Sequence, residues 1–137
     1  MKTIHVEVIT PEKMIIQADV ESVTVPAING ELCILPGHAH LIAQLQPGEL
    51  KLKNGQDITS YAVSGGFLEV HPKKIEIYAE SADLTAELSA ERARQLKETA
   101  NLDLQQGKNL ASSQLALNRA LAQLKVLRRV RQTSKRR

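Results

Sequence analysis

The hydrophobic period of this sequence changes once, near residue 84, and divides the chain into a strand-forming part and a helix-forming part. Up to Glu80 apolar residues alternate with polar ones: Ile4, Val6 and Val8, then Val23 and Val25, Leu32 and Ile34, Leu50 and Leu52, Leu68 and Val70, and Ile75 and Ile77. Period two places every such set on one face of an extended strand. Asn29-Gly30, Pro36-Gly37, Pro47-Gly48, Asn54-Gly55 and His71-Pro72 fall between the sets, and each supplies a positive φ or a φ fixed near −65°. Lys53-Asn54-Gly55-Gln56 reads as a hairpin with a type I′ Asn-Gly turn. Gly65-Gly66 reads as a bulge or tight corner entering the strand Phe67 to Val70. Residues 1–84 are therefore expected to form an antiparallel β-sandwich or flattened barrel of eight to ten short strands. Aromatic residues make up only 2% of the chain, so its core must come from Val, Ile, Leu and Ala.

After Asp83 Gly and Pro all but vanish, and Ala, Leu, Glu, Gln, Lys and Arg take over, the residues that lose least on entering a helix. Ser89 is a suitable N-cap, with Glu91 in the first turn. Ala93, Leu96 and Ala100 share a face, Gly107 suits a left-handed helix end, and Asn109 can start a second helix. Leu110, Leu117, Ala120, Leu121, Leu124 and Leu127 form the second stripe, on a helix of about 22 residues and about 33 Å. Residues 88–137 thus read as an antiparallel helical hairpin. Two of the three stripe residues named on the first helix are alanine, so its contacts remove little apolar area from water, and the arm is expected to be weakly held.

The net charge of +3 conceals a gradient. From Leu104 onward there are nine basic residues and no acidic one, whereas residues 1–103 hold the other nine basic residues and all fifteen acidic ones, a balance of −6. Such segregation points the C-terminal part toward an acidic partner: nucleic acid, anionic lipid or an acidic protein surface. A nucleic-acid-binding module using Arg128-Arg129-Val130-Arg131 and Lys135-Arg136-Arg137 is the alternative function, although no aromatic residue accompanies these charges to stack on bases.

Motifs for chemistry are absent. Gly107-Lys108-Asn109 lacks the earlier glycine and the hydroxyl of a phosphate loop, and Ala62 stands where a Ser64 nucleophile elbow requires glycine. Cys33, His38 and His40 invite a zinc reading, but Cys33, between Leu32 and Ile34, is expected to be a small buried core residue, with the two histidines on a loop after Pro36-Gly37. His5 and His71 are expected to be isolated and exposed on polar strand faces. A single cysteine forms no internal disulfide. No secretory pattern follows Met1, and no apolar run is long enough to span a membrane.

The order of parts and several strings resemble the epsilon subunit of the bacterial rotary F-type ATP synthase. The strings are Gly30-Glu31-Leu32, Ile34-Leu35-Pro36-Gly37-His38-Ala39, Pro47-Gly48, Val63-Ser64-Gly65-Gly66-Phe67-Leu68-Glu69-Val70, Ala79-Glu80, Leu88 to Ala93, Arg119-Ala120-Leu121 and Gln123-Leu124-Lys125-Val126. The resemblance implies a ten-stranded sandwich at the foot of the rotor stalk that touches the gamma subunit, and that faces the c ring through loops that carry Glu31 and His38. It implies a non-catalytic coupler, without cofactor or metal, that binds no nucleic acid. It places the protein peripherally on the cytoplasmic face of the plasma (inner) membrane, without insertion.

The hairpin, by the same resemblance, switches between a compact state and an extended one. In the extended state Arg119, Lys125, Arg128, Arg129 and Arg131 would meet the catalytic alpha and beta subunits and restrain ATP hydrolysis. Some members bind ATP at the compact hairpin. Here Arg92 and Arg119 match that pattern while Ser89 replaces an aspartate and Gln123 an arginine, which implies weak or absent ATP binding. Cys33 stands where the family commonly has glycine, and His40 where it has proline.

Overall fold

The computed structural model describes residues 2–135, with side chains through Arg129. Ten strands come first: β1 (Ile4–Ile9), β2 (Met14–Val20), β3 (Ser22–Ala27), β4 (Gly30–Ile34), β5 (Leu41–Leu45), β6 (Gly48–Asn54), β7 (Asp57–Val63), β8 (Gly66–His71), β9 (Lys74–Ala79) and β10 (Ala82–Leu84). One short helical turn (Thr85–Glu87) leads to α1 (Ala90–Gln105) and α2 (Leu110–Lys135). Strand order is β10-β7-β6-β3-β5-β8-β9-β1-β2, with β4 on the other side of β3. β3 meets β5 only at Ala27 opposite Leu45, so the sheet folds over there into two layers. β1 and β9 run parallel, the one exception to the antiparallel expectation among the described strands.

Alternation builds the core as anticipated. Val6, Val8, Val23, Val25, Leu68 and Ile77 are fully buried between the layers, and Tyr61 is the one aromatic residue of the core. The same alternation corrects the expectation for Cys33. Leu32 and Ile34 pair with Val25 and Val23 and point inward, so Cys33, opposite Thr24, must point outward, and it is exposed. The β6–β7 hairpin also differs from expectation. Asn54 pairs with Asp57, leaving Gly55-Gln56 as the loop, and only Gly55 has a positive φ, 66°. Type I′ needs two positive φ values, so the loop has the sign pattern of type II′, which takes glycine first.

Gly66 is required where it stands. A Cβ there would lie 2.0 Å from the Tyr78 carbonyl oxygen, and its φ is +137°. The corner expected at Gly65-Gly66 is thus a close backbone approach of β8 to β9.

Ser89 caps α1 by accepting a hydrogen bond from the Arg92 amide. Gly107 (φ 69°) ends it, with Gly107 N–H donating to Leu104 and Lys108 N–H to Asp103, a Schellman arrangement. α1 packs chiefly on α2, and its buried residues are Ala93 and Ala100. α2 has 26 residues, about 39 Å at 1.5 Å each, longer than expected. Its stripe also departs from the reading: Leu110 and Leu121 are exposed, while Ala122 and Val126 are buried with Ala120. α2 has a second contact face, because it lies on the sheet as well as on α1.

Candidate functional site

The hairpin lies folded against the outer face of β6, β7 and β10. Glu49, Ala62 and Asp83 stand side by side across these strands. They alternate with core residues Leu50 and Val63 and so point away from the core. Ala62 is nevertheless only 1% exposed, because α2 covers it. From α2, Ala122 and Val126 press onto this surface, each 1% exposed. Full burial contributes about 1.5–3 kcal/mol for a valine and less for an alanine. The apolar seam is thin.

Polar links do the rest. Arg119 donates from Nε to Asp83 Oδ2 at 2.9 Å and from Nη2 to Oδ1, and Gln123 Nε2 donates to Oδ2 at 2.8 Å. Burial alone would raise the Asp83 pKa, but the hydrogen bonds from Arg119 and Gln123, with the guanidinium charge, hold it below the usual carboxylate value. The hydrogen bond with Asp83 in turn raises the Arg119 pKa, against the opposing effect of burial. Further along α2, Lys125 Nζ donates to the Pro47 carbonyl at 2.8 Å and Arg129 Nη2 to Glu31 Oε2 at 3.1 Å. Residues 119, 122, 126 and 129 share one helix face, three and four residues apart. Beneath the arm, the buried carboxylate of Glu49 accepts from Ser60 Oγ at 2.6 Å, and Ser60 also meets Thr85 Oγ1 at 2.8 Å.

The family resemblance pairs Arg92 with Arg119. Both line a cleft of about 300 Å³ between β10, the short helical turn and the two helices, shared with Asp83, Glu87, Ser89 and Gln123. Two carboxylates in that cleft oppose a phosphate, and Arg119 is already engaged. Glu31 is exposed and His38 half-buried, with His38 Nδ1 against the Ala39 carbonyl at 2.7 Å. Arg128 is exposed on α2. Arg131 lies on α2, but its side chain is outside the described residues, as are Arg136 and Arg137.

The isolated histidines of the sequence reading are not isolated. His5 Nδ1 lies 3.0 Å from Asp19 Oδ1, and the ring of His71 stacks on that of His40. Sequence reasoning missed Asp83 altogether. Its signal, a lone acid at the change of period facing an arginine 36 residues on, is visible only once the fold brings the two together. A row of exposed apolar residues, Ile42, Phe67 and Tyr78, occupies the outer face of the other layer, with Phe67 directly opposite Tyr78.

Comparison with known proteins covers both parts of the chain. The family described as ATP synthase, Delta/Epsilon chain, beta-sandwich domain, matches residues 3–85. The ATP synthase epsilon chain of Halalkalibacterium halodurans is 43% identical over 130 residues, 92% of this chain and 98% of the relative. That of Herpetosiphon aurantiacus is 42% identical over 135 residues, 94% and 98% of the two chains. Among solved structures, a chain in the mitochondrial ATP synthase of Euglena gracilis superposes with a TM-score of 0.65 at 26% identity, covering 85% of this chain and 76% of that one.

Proposed function

The chain belongs to the ATP synthase epsilon-chain family, non-catalytic subunits of the central stalk, and on that premise we propose that it couples c-ring rotation to ATP synthesis. In this reading the sandwich turns with gamma and the c ring at the cytoplasmic face of the inner membrane, and the hairpin is an arm that restrains ATP hydrolysis. No helix among the described residues is long and apolar enough to cross a membrane, which agrees with peripheral attachment. The exposed Ile42, Phe67 and Tyr78 row offers the sandwich a surface for gamma, and the loops bearing Glu31 and His38 offer one for the c ring.

The observation that carries the proposal is the polar latch at Asp83 over a seam of one valine and small alanines. A latch of this kind closes well but releases cheaply, because Arg119, Gln123, Lys125 and Arg129 can exchange their partners for water or for acidic groups elsewhere. Arg119, Lys125 and Arg129 each hold the sandwich in the compact state, so their proposed contacts with the catalytic subunits exclude the latch. Arg128 and Arg131 extend the same basic surface. The pairing of Arg129 with Glu31 ties arm position to the proposed c-ring loop.

Deleting residues 88–137 in the assembled enzyme tests the division of labour. Assembly with gamma and the c ring should persist and ATP hydrolysis should rise. Loss of assembly, or a fall in hydrolysis, would contradict it. ATP binding to the isolated chain should be weak or absent, since Arg119 is occupied and Asp83 and Glu87 face the same cleft; a one-to-one calorimetric isotherm with ATP would refute this.

A further inference from the structure

The zinc trio weighed in the sequence, Cys33 with His38 and His40, is dissolved by the fold. Cys33 faces outward on β4, and His38 turns its Nδ1 onto the adjacent Ala39 carbonyl. The fold assembles a different trio. His40 directly precedes β5, while Glu69 and His71 lie on β8. Leu41 pairs with Val70 and Ile42 with Glu69, so strand alternation sends residues 40, 69 and 71 to the same outer face. The rings of His40 and His71 stack with centroids 5.1 Å apart and planes 19° from parallel. Both Nε2 atoms lie 3.3 Å from the same Glu69 Oε1, and one donor atom from each residue lies within 4.8 Å of the others.

These separations match a coordination polyhedron. Ligand atoms about 2.0–2.1 Å from a tetrahedral zinc ion sit about 3.3 Å from one another. Two edges of the triangle already have that length. Glu76 Oε1 lies 3.7 Å from His71 Nε2 and 3.9 Å from Lys74 Nζ, and its other oxygen accepts from the Tyr78 hydroxyl. The trio is partly exposed, so an ion has a path from solvent and room for a water as fourth ligand. Two imidazoles with one carboxylate favour zinc, nickel or copper over calcium or magnesium.

We infer that His40, Glu69 and His71 form a surface site for a divalent transition-metal ion of the zinc type, clamping the loop that ends at His40 onto β8. The inference stands on the geometry of the sandwich and does not require the hairpin to move. Its structural consequence is a stiffer 36–40 loop, the segment that also carries His38.

Untagged full-length protein titrated with cobalt(II) chloride provides the test. One equivalent should bind and give the strong visible absorption of four- or five-coordinate cobalt, which zinc then displaces. Glu69→Gln and His71→Ala should each weaken binding more than about tenfold, since each removes one of three ligands, while Cys33→Ser and His5→Ala leave it unchanged. Amides of residues 37–40 in the wild type should exchange more slowly once zinc is present. A faint octahedral-type spectrum, wild-type affinity in Glu69→Gln and His71→Ala, or loss of binding in Cys33→Ser would each overturn the assignment. The spectrum of the wild-type protein decides the matter even if a variant misfolds.

Discussion

Arg119 on α2 and Asp83 on β10 form a two-pronged ion pair, with Nε to Oδ2 at 2.9 Å, that joins the hairpin to the sandwich across 36 positions of sequence. Bidentate geometry distinguishes it from an ordinary surface pair. Asp83→Asn removes the charge while keeping the size, and should loosen the docked arm by about 1–2 kcal/mol, roughly a tenfold shift toward the open form. Trypsin cleavage within α1 and α2 should accelerate by the same factor, because proteolysis tracks the open population when opening and closing are fast. The melting of the sandwich should not change.

The apolar half of the seam can be tested separately. Ala122→Glu would place a charge at a position of α2 that is only 1% exposed, a cost of several kcal/mol if the arm stayed docked. The arm should therefore leave instead. Helix amides should lose protection while β3 and β6 retain theirs, and in the assembled enzyme the rate of ATP hydrolysis should fall as the arm spends more time extended.

Acid should open the latch. The Asp83 pKa is lowered in the docked state relative to its ordinary value of 3.8, so the docked form binds fewer protons than the released form over that range. Its contribution is complete above about pH 4 and is lost as pH falls from there through the depressed value. The protease sensitivity of the helices should rise below pH 4 in the wild type and show a smaller change in Asp83→Asn.

Gly66→Ala attacks the sandwich itself. The added methyl would meet the Tyr78 carbonyl at 2.0 Å in a backbone conformation with φ +137°, so β8 and β9 must separate. A loss of about 3 kcal/mol or more is expected, read as a lower urea midpoint. An unchanged midpoint would mean that the two strands do not approach as described.

The sandwich was readable because strands with one wet face announce themselves by period two, and the helices because Ser89 and Gly107 mark an N-cap and a C-terminal stop. Where the reading failed, the reasons are physical. The apolar character of Cys33 suggests an inward position, although the inward-facing Leu32 and Ile34 on either side dictate the opposite. On α2 the bulky Leu110 and Leu121 looked like core, yet a helix wedged between another helix and a sheet buries two faces. Close approach to the sheet favours small side chains, so Ala122 and Val126 are inside. Glu69 and His71 lie on β8 and His40 just before β5, and only the β5–β8 register brings them together.

The central claim is that the β body and the helical arm are separately stable, with the arm opening first. Native-state hydrogen exchange on the full chain, resolved residue by residue, measures this directly. Amides of α1 and α2 should open with a free energy several kcal/mol below that of Val23, Leu50 and Val70, and Asp83→Asn should lower only the helical set. A single opening free energy shared by helices and strands, lowered uniformly by that substitution, would contradict the account.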